Sequence, residues 1–213
     1  MCSELKSACQ YSMHILVYSN KMARTYTLKR RAESQAATRR RIVEAAVDLH
    51  GRVGPARTTF SMVAERADVQ RHTLYAHFPD ERRLLLACSA LTLERDPLPD
   101  AGAWREIANL RERLRAGLTA IYGWYERNAE IAACVLRDAE HHALTREIAA
   151  LRLGPYMAAY HEVLAAKLTA KERAILSLAL NFFTWRTLTR EAGLKQRQAV
   201  EAMVEAISGA GRR

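Results

Sequence analysis

Long apolar runs are missing from this chain of 213 residues. The most apolar stretch, Ile175 to Trp185, is interrupted by Ser177, Asn181 and Thr184. Nothing approaches the roughly 18 consecutive apolar residues that a membrane helix needs, so no membrane partner is expected. Met13 to Tyr18 is apolar but short, and no small-residue cleavage site follows it. It does not read as a signal peptide, and the cytoplasm is the expected location. Cysteine is scarce. Cys2, Cys9, Cys88 and Cys134 have neither metal-type spacing nor a Cys-x-x-Cys pair, which leaves reduced, mostly inert thiols. With 9 Gly and 5 Pro, the chain has no Gly-rich phosphate loop. Strand-like alternation and internal repeats are lacking as well. No Ser/His/Asp or Cys/His set is legible, so the sequence offers no catalytic centre and no cofactor site.

What is present is positive charge, unevenly spread. The formal net charge is +10. Residues 1–90 hold 15 Lys/Arg against 8 Asp/Glu, and residues 91–213 hold 18 against 15. An N-terminal excess of this kind points to a polyanionic partner, because neutralised phosphates release counterions.

Helical periodicity is the other positive signal. Residues 1–35 show no sustained period and run into a basic stretch at Lys29, Arg30 and Arg31. They are expected to form a flexible basic arm, with Met22 an alternative start. Residues 36–90 then read as a longer helix from about Ala36 to Arg52, two short helices and the start of a fourth. Ile42, Ala45, Ala46, Leu49 and Val53 make one buried face of the first helix, which Gly51 and Gly54-Pro55 terminate. Thr59 stands as N-cap before Phe60, Val63, Ala64 and Ala67 on a second helix of about two turns. A third helix carries Leu74 and Phe78 before Pro79-Asp80 breaks it, with Asp80 as N-cap of the next. After the linker at 97–102, residues 91–213 show further helices near 103–127, 128–141, 143–167, 170–191 and 195–208. Gly154-Pro155 is expected to break or kink the third of these. The fold class is therefore all-α, with an N-terminal three-helix unit followed by a larger helical domain.

Two short helices joined by a tight turn, with a longer helix ahead of them, make a helix-turn-helix. The second short helix of such a unit lies in the major groove and reads base edges. Here it presents Gln70, Arg71, His72, Thr73 and Tyr75 around Val69, Leu74 and Phe78. Gln and Arg suit bidentate contacts to adenine and guanine. Hydroxyls suit phosphate or methyl contacts. Arg39, Arg40 and Arg41 read as a phosphate-binding arm; of these, Arg39 and Arg41 are taken as DNA-contact candidates.

The segment from Thr59 to Pro79 resembles the TetR/AcrR signature. It has a Thr-capped helix with Val63-Ala64-Glu65-Arg66-Ala67-Asp68-Val69, then a reading helix ending in Thr73-Leu74-Tyr75-Ala76-His77-Phe78. The resemblance covers about residues 38–90. It implies DNA binding by a homodimer on a palindromic operator, with release by a small-molecule ligand held in the helical half. It also implies phosphate contacts from Thr59, Tyr75 and His77, and from the backbone N–H groups that follow Asp80. Four positions depart from the pattern. Asp68 replaces the turn Gly, Gln70 replaces a better-capping Ser, and His72 makes the reading face bulkier. Glu81 stands where the family has Lys, so Arg82 or Arg83 is expected to replace that charge. An enzyme tethered by a helix-turn-helix, or an interaction module with weak DNA binding, are the alternatives.

The helical half supplies aromatic residues for a ligand cavity. Trp104, Tyr122, Tyr125, Tyr160, His161, Phe182 and Trp185 are the candidates, and the effector is unknown. Leu176, Leu180, Phe183, Met203 and Ile207, on the last two helices, are candidates for a four-helix dimer interface. Asp138, Glu140, His141 and His142 invite a metal reading. Adjacent histidines on a helix diverge by about 100°, so no metal site is expected there.

Overall fold

A computed structural model describes residues 29–210, every regular element of which is helical. The residues fall into two compact units divided between Ile42 and Val43. In the first, residues 29–42 are helical. Residues 29–35, expected in a flexible arm, thus belong to a helix; residues 1–28 of that arm lie outside the described residues. The second unit carries everything else. No division falls near residue 90, where the sequence placed a domain boundary.

The second unit opens with α1, residues 43–52, whose Val43, Ala45, Ala46 and His50 are buried. A single 3-10 turn, Pro55–Arg57, leads to α2, Phe60–Arg66, and α3, Arg71–His77. Val63, Ala64, Leu74 and Phe78 are buried beneath this pair. Helix α4, Glu81–Arg95, starts at an Asp80 cap whose Oδ1 accepts from Arg83 N at 2.8 Å. It runs through the expected boundary because it is fastened to a later helix. Arg152 donates to Ser89 Oγ and the Leu86 carbonyl, and Arg82 pairs with Glu147.

Helices α5, Gly102–Arg105, and α6, Leu110–Arg127, replace the one helix expected over 103–127. Asn109 explains the break, since its side chain caps α6 by accepting from Glu112 N at 3.1 Å. The preceding linker is tied down. Trp124 Nε1 donates to the Asp96 carbonyl, Tyr160 Oη donates to the Pro99 carbonyl, and Leu98 is buried. Next come α7, Ala129–Ala139, and α8, Ala143–Leu164. Helix α8 continues through Gly154-Pro155 rather than breaking there. Pro155 and Leu151, four residues earlier, are both exposed, so the residue deprived of its backbone partner lies on the solvent side.

The helix expected over 170–191 is interrupted. Helix α9, Ala170–Ala179, ends before Asn181 caps α10, Phe182–Arg186, which passes into a π-type turn at Thr187–Glu191. The interruption frees two carbonyls from helical pairing. Tyr122 Oη donates to Ala179 O at 2.9 Å and Tyr125 Oη to Leu180 O at 2.6 Å. Buried backbone groups must find such partners, and the tyrosines supply them. Helix α11, Gln196–Gly209, packs on α6 and α9. The core between them holds Leu114, Leu118 and Ile121 of α6 with Val200, Val204 and Ile207 of α11.

Candidate nucleic-acid interface and cavity

Thr59 Oγ1 accepts from Met62 N at 3.3 Å and so starts α2 as its sequence position predicts. The chain then reverses at Asp68, whose φ of 51° is left-handed. Asp tolerates that region better than most residues, which lets this sequence turn without the usual Gly. Gln70 occupies the N-cap of α3 but makes no capping bond with its side chain. The helix is held by Leu74 and Phe78, both fully buried.

Those two anchors fix which side of α3 faces outward. Gln70, Arg71, His72 and Tyr75 are exposed, with Thr73 and His77 half-buried. Arg71 donates to Ser61 Oγ on α2. Tyr75 lays its ring against Phe60, with centroids 5.1 Å apart, while remaining 53% exposed. One helix edge thus carries an amide, a guanidinium, an imidazole and a phenol. These are groups able to donate to base edges and phosphates. Thr59, also exposed, stands at the start of the neighbouring helix. Arg39 and Arg41 are exposed in the first unit.

The start of α4 is less suited to phosphate than expected. The Asp80 carboxylate already holds the Arg83 N–H, Glu81 lies 3.8 Å from His142 Nε2, and Arg82 is engaged by Glu147. Of the two replacement cations, Arg83 is the more exposed, and it pairs only loosely with Asp80 at 3.5 Å.

The second feature is a half-open cavity of about 500 Å³ lined by residues of α1, α4, α6, α7, α8 and α10. Tyr125 and Phe182 line it, as does Phe183, which the sequence assigned to a dimer interface. Trp104, Tyr122, Tyr160, His161 and Trp185 do not. Four of them are buried in the surrounding core, and His161 is half-buried. Tyr122, Tyr125 and Tyr160 give their hydroxyl protons to backbone carbonyls, and burial pushes all three phenols well above the usual tyrosine range. They serve the fold rather than offering polar groups to a ligand. The dimer candidates need a similar correction. Leu176, Leu180 and Ile207 are buried within the chain's own core, so they do not present an outer face. Met203 and Phe183 are half-buried.

The metal candidates are scattered by their partners. Asp138 is buried and accepts from Ala56 N at 2.9 Å and from Arg137 Nε at 2.8 Å. His142 Nδ1 lies 2.7 Å from Thr145 Oγ1. Among the described residues no group of three His, Cys, Asp or Glu side chains is placed to hold a metal ion. No helix among them is long and apolar enough to cross a membrane.

Sequence reading missed His50 and Arg152. His50, on the cavity wall, has its pKa lowered to about 4, chiefly because burial penalises the charged ring, although the Asp138 carboxylate opposes the shift. Its signal was its place on the buried face of the first helix. Arg152 gave no signal.

A reversed pair of short helices with an outward polar edge, followed by helices around an apolar cavity, defines an all-helical protein with a helix-turn-helix. Residues 42–88 match the family described as bacterial regulatory proteins, tetR family, a match that covers the helix-turn-helix segment. Solved structures share the fold. Bacillus subtilis FadR in complex with stearoyl-CoA has a TM-score of 0.56 and 16% identity, over 78% of this chain and 96% of that one. AibR in complex with isovaleryl coenzyme A and operator DNA has a TM-score of 0.55 and 21% identity, over 79% and 96%. A TetR/AcrR-type regulator from Aquifex aeolicus has a TM-score of 0.51 and 17% identity, over 80% and 98%. No curated protein matches the chain.

Proposed function

We propose that this protein is a ligand-responsive transcriptional repressor that binds a palindromic operator as a homodimer. The observation that carries this reading is the exposed edge of α3, with Gln70, Arg71, His72 and Tyr75 outward over a buried Leu74 and Phe78. A reading helix is a helix presented in this way. The net charge of +10 supplies the non-specific part of the affinity. The similarity to FadR and AibR, bound to acyl-CoA molecules and in one case to operator DNA, supports the ligand-responsive part.

The cavity is placed for coupling. Its wall includes α4, which only three residues separate from the end of α3, and α7, whose Asp138 and Arg137 hold the backbone of Ala56 and Val53 ahead of α2. A ligand that reshapes the cavity would act on both ends of the helix-turn-helix. By linkage, operator DNA weakens the ligand's binding by the same factor that the ligand weakens the DNA's.

The test is a footprint on the DNA upstream of the protein's own gene, titrated with salt. A repressor protects a near-palindrome with half-sites about one DNA turn apart, roughly 34–36 Å. If binding stays indifferent to sequence at every salt concentration, the operator-binding reading fails and an interaction module of the same fold replaces it.

A further inference from the structure

The cavity wall carries formal charge of one sign. Arg146 and Arg152 line it, and none of its lining side chains is a carboxylate. His50, held neutral near pH 7 by its burial, adds no charge there. Arg146 is exposed and donates at 2.8 Å to the carbonyls of Ala139 and Glu140 at the end of α7. Arg152 differs. It is half-buried, and its only bonds among the described residues are long: Nε to Ser89 Oγ at 3.2 Å and one terminal nitrogen to the Leu86 carbonyl at 3.3 Å. A guanidinium has five N–H donors, so three are left over. Among the described residues no carboxylate pairs with it. A cation partly withdrawn from water beside an apolar cavity is costly, and an anion brought to it offsets that cost.

We propose that the cavity binds an apolar carboxylic acid, with the hydrocarbon body against Trp124, Tyr125, Phe182 and Phe183 and the carboxylate on Arg152. The volume of about 500 Å³ lies in the range of small-molecule sites. A bidentate arginine–carboxylate pair supplies orientation as well as affinity. Lipophilic cations are disfavoured twice, since the wall offers them no carboxylate and presents two guanidinium groups. This assignment rests on the ligand-responsive reading above only in taking the cavity as the effector site.

The experiment compares head groups on a constant body. Full-length protein is titrated calorimetrically with the octyl and dodecyl forms of a carboxylate, an alcohol and a trimethylammonium ion, each below its micelle concentration. The carboxylate is expected to bind at least about ten-fold more tightly than the alcohol, and the ammonium ion more weakly than either. Arg152→Gln should remove that ten-fold advantage and leave alcohol binding within about two-fold. Arg152→Lys should retain part of the advantage, because charge survives while the fork is lost. Since Arg152 also fastens α8 to α4, melting curves accompany both variants; if the Gln variant does not fold, the wild-type series and the Lys variant decide. Ammonium binding equal to that of the acid, or an acid preference unchanged in a folded Arg152→Gln, would overturn the assignment. Operator release is measured separately. An acid that binds without releasing DNA refutes the ligand-release reading and leaves the site standing. Tight operator binding with no affinity for the acid refutes only the site.

Discussion

At the scale of single residues, Asp68 makes the turn between α2 and α3 without a glycine. Its φ of 51° is left-handed, a region that costs most residues roughly 1–2 kcal/mol and Asp somewhat less. Asp68→Ala should therefore destabilise the protein by about 1 kcal/mol. Asp68→Gly should be neutral or slightly stabilising, because relief of strain competes with a more flexible unfolded chain. Urea titrations of the two variants check this; equal losses would show that the side chain, not the backbone, matters at the turn. His50 makes a second prediction. The folded protein keeps it unprotonated down to about pH 4, whereas its ordinary value is 6.5. Below 6.5 the unfolded chain takes up a proton that the folded one refuses. The stability this group contributes is complete above 6.5 and drains away as the pH falls towards 4, by about 2 kcal/mol at pH 5. His50→Phe should flatten that part of the pH–stability curve. An unchanged slope between pH 6.5 and 4.5 would place the acid sensitivity elsewhere.

At the scale of elements, the join between α1 and α2 is tightly constrained. Gly54 has a φ of 96°, and a Cβ there would run into the Asp138 carboxylate and the Arg137 guanidinium. Arg137 also donates to Val53 O at 3.0 Å, so the end of α7 grips this loop at two backbone points. Gly54→Ala should cost about 2–4 kcal/mol, from backbone strain and loss of the Asp138 contact together. Gly193→Ala is the control. Its φ of 72° is similarly left-handed, but nothing lies within 4 Å of its added Cβ, so it should cost only about 1–2 kcal/mol. The difference between the two, read from thermal melts, measures the α7 grip. How far elements were legible in the sequence follows from how local their causes are. The Thr59 and Asp80 caps, the Asp68 turn and the buried Leu74 and Phe78 depend on neighbours a few positions away, and they read correctly. The breaks at Asn109 and Asn181 carry an equally local cap signal, which a strong apolar period masks. Placing Tyr122, Tyr160, Leu176 and Ile207 required knowing which helices meet, and amphipathic period does not say whether an apolar face meets a ligand, a partner or the chain's own core.

At the scale of the whole molecule, the charge excess and the reading edge have separable effects on DNA. Affinity from phosphates is indifferent to sequence and falls with salt; affinity from base edges is neither. Arg71→Ala should cost about 1–3 kcal/mol on the preferred operator and shift which bases are selected, with the salt slope nearly unchanged. Tyr75→Phe keeps the ring that packs at 5.1 Å on Phe60 and removes only the hydroxyl. It should weaken binding by about 1 kcal/mol on every sequence alike. Arg39→Ala with Arg41→Ala, two exposed cations of the first unit, should lower the slope of log affinity against log salt by about 2, with base preference intact. Selection from a randomised operator pool, repeated at three salt concentrations for each variant, measures all three effects together. Loss of base preference on removing Arg39 and Arg41 would place part of the readout outside α3. A uniform loss from Arg71→Ala would take the guanidinium off the bases and put it on the phosphate backbone.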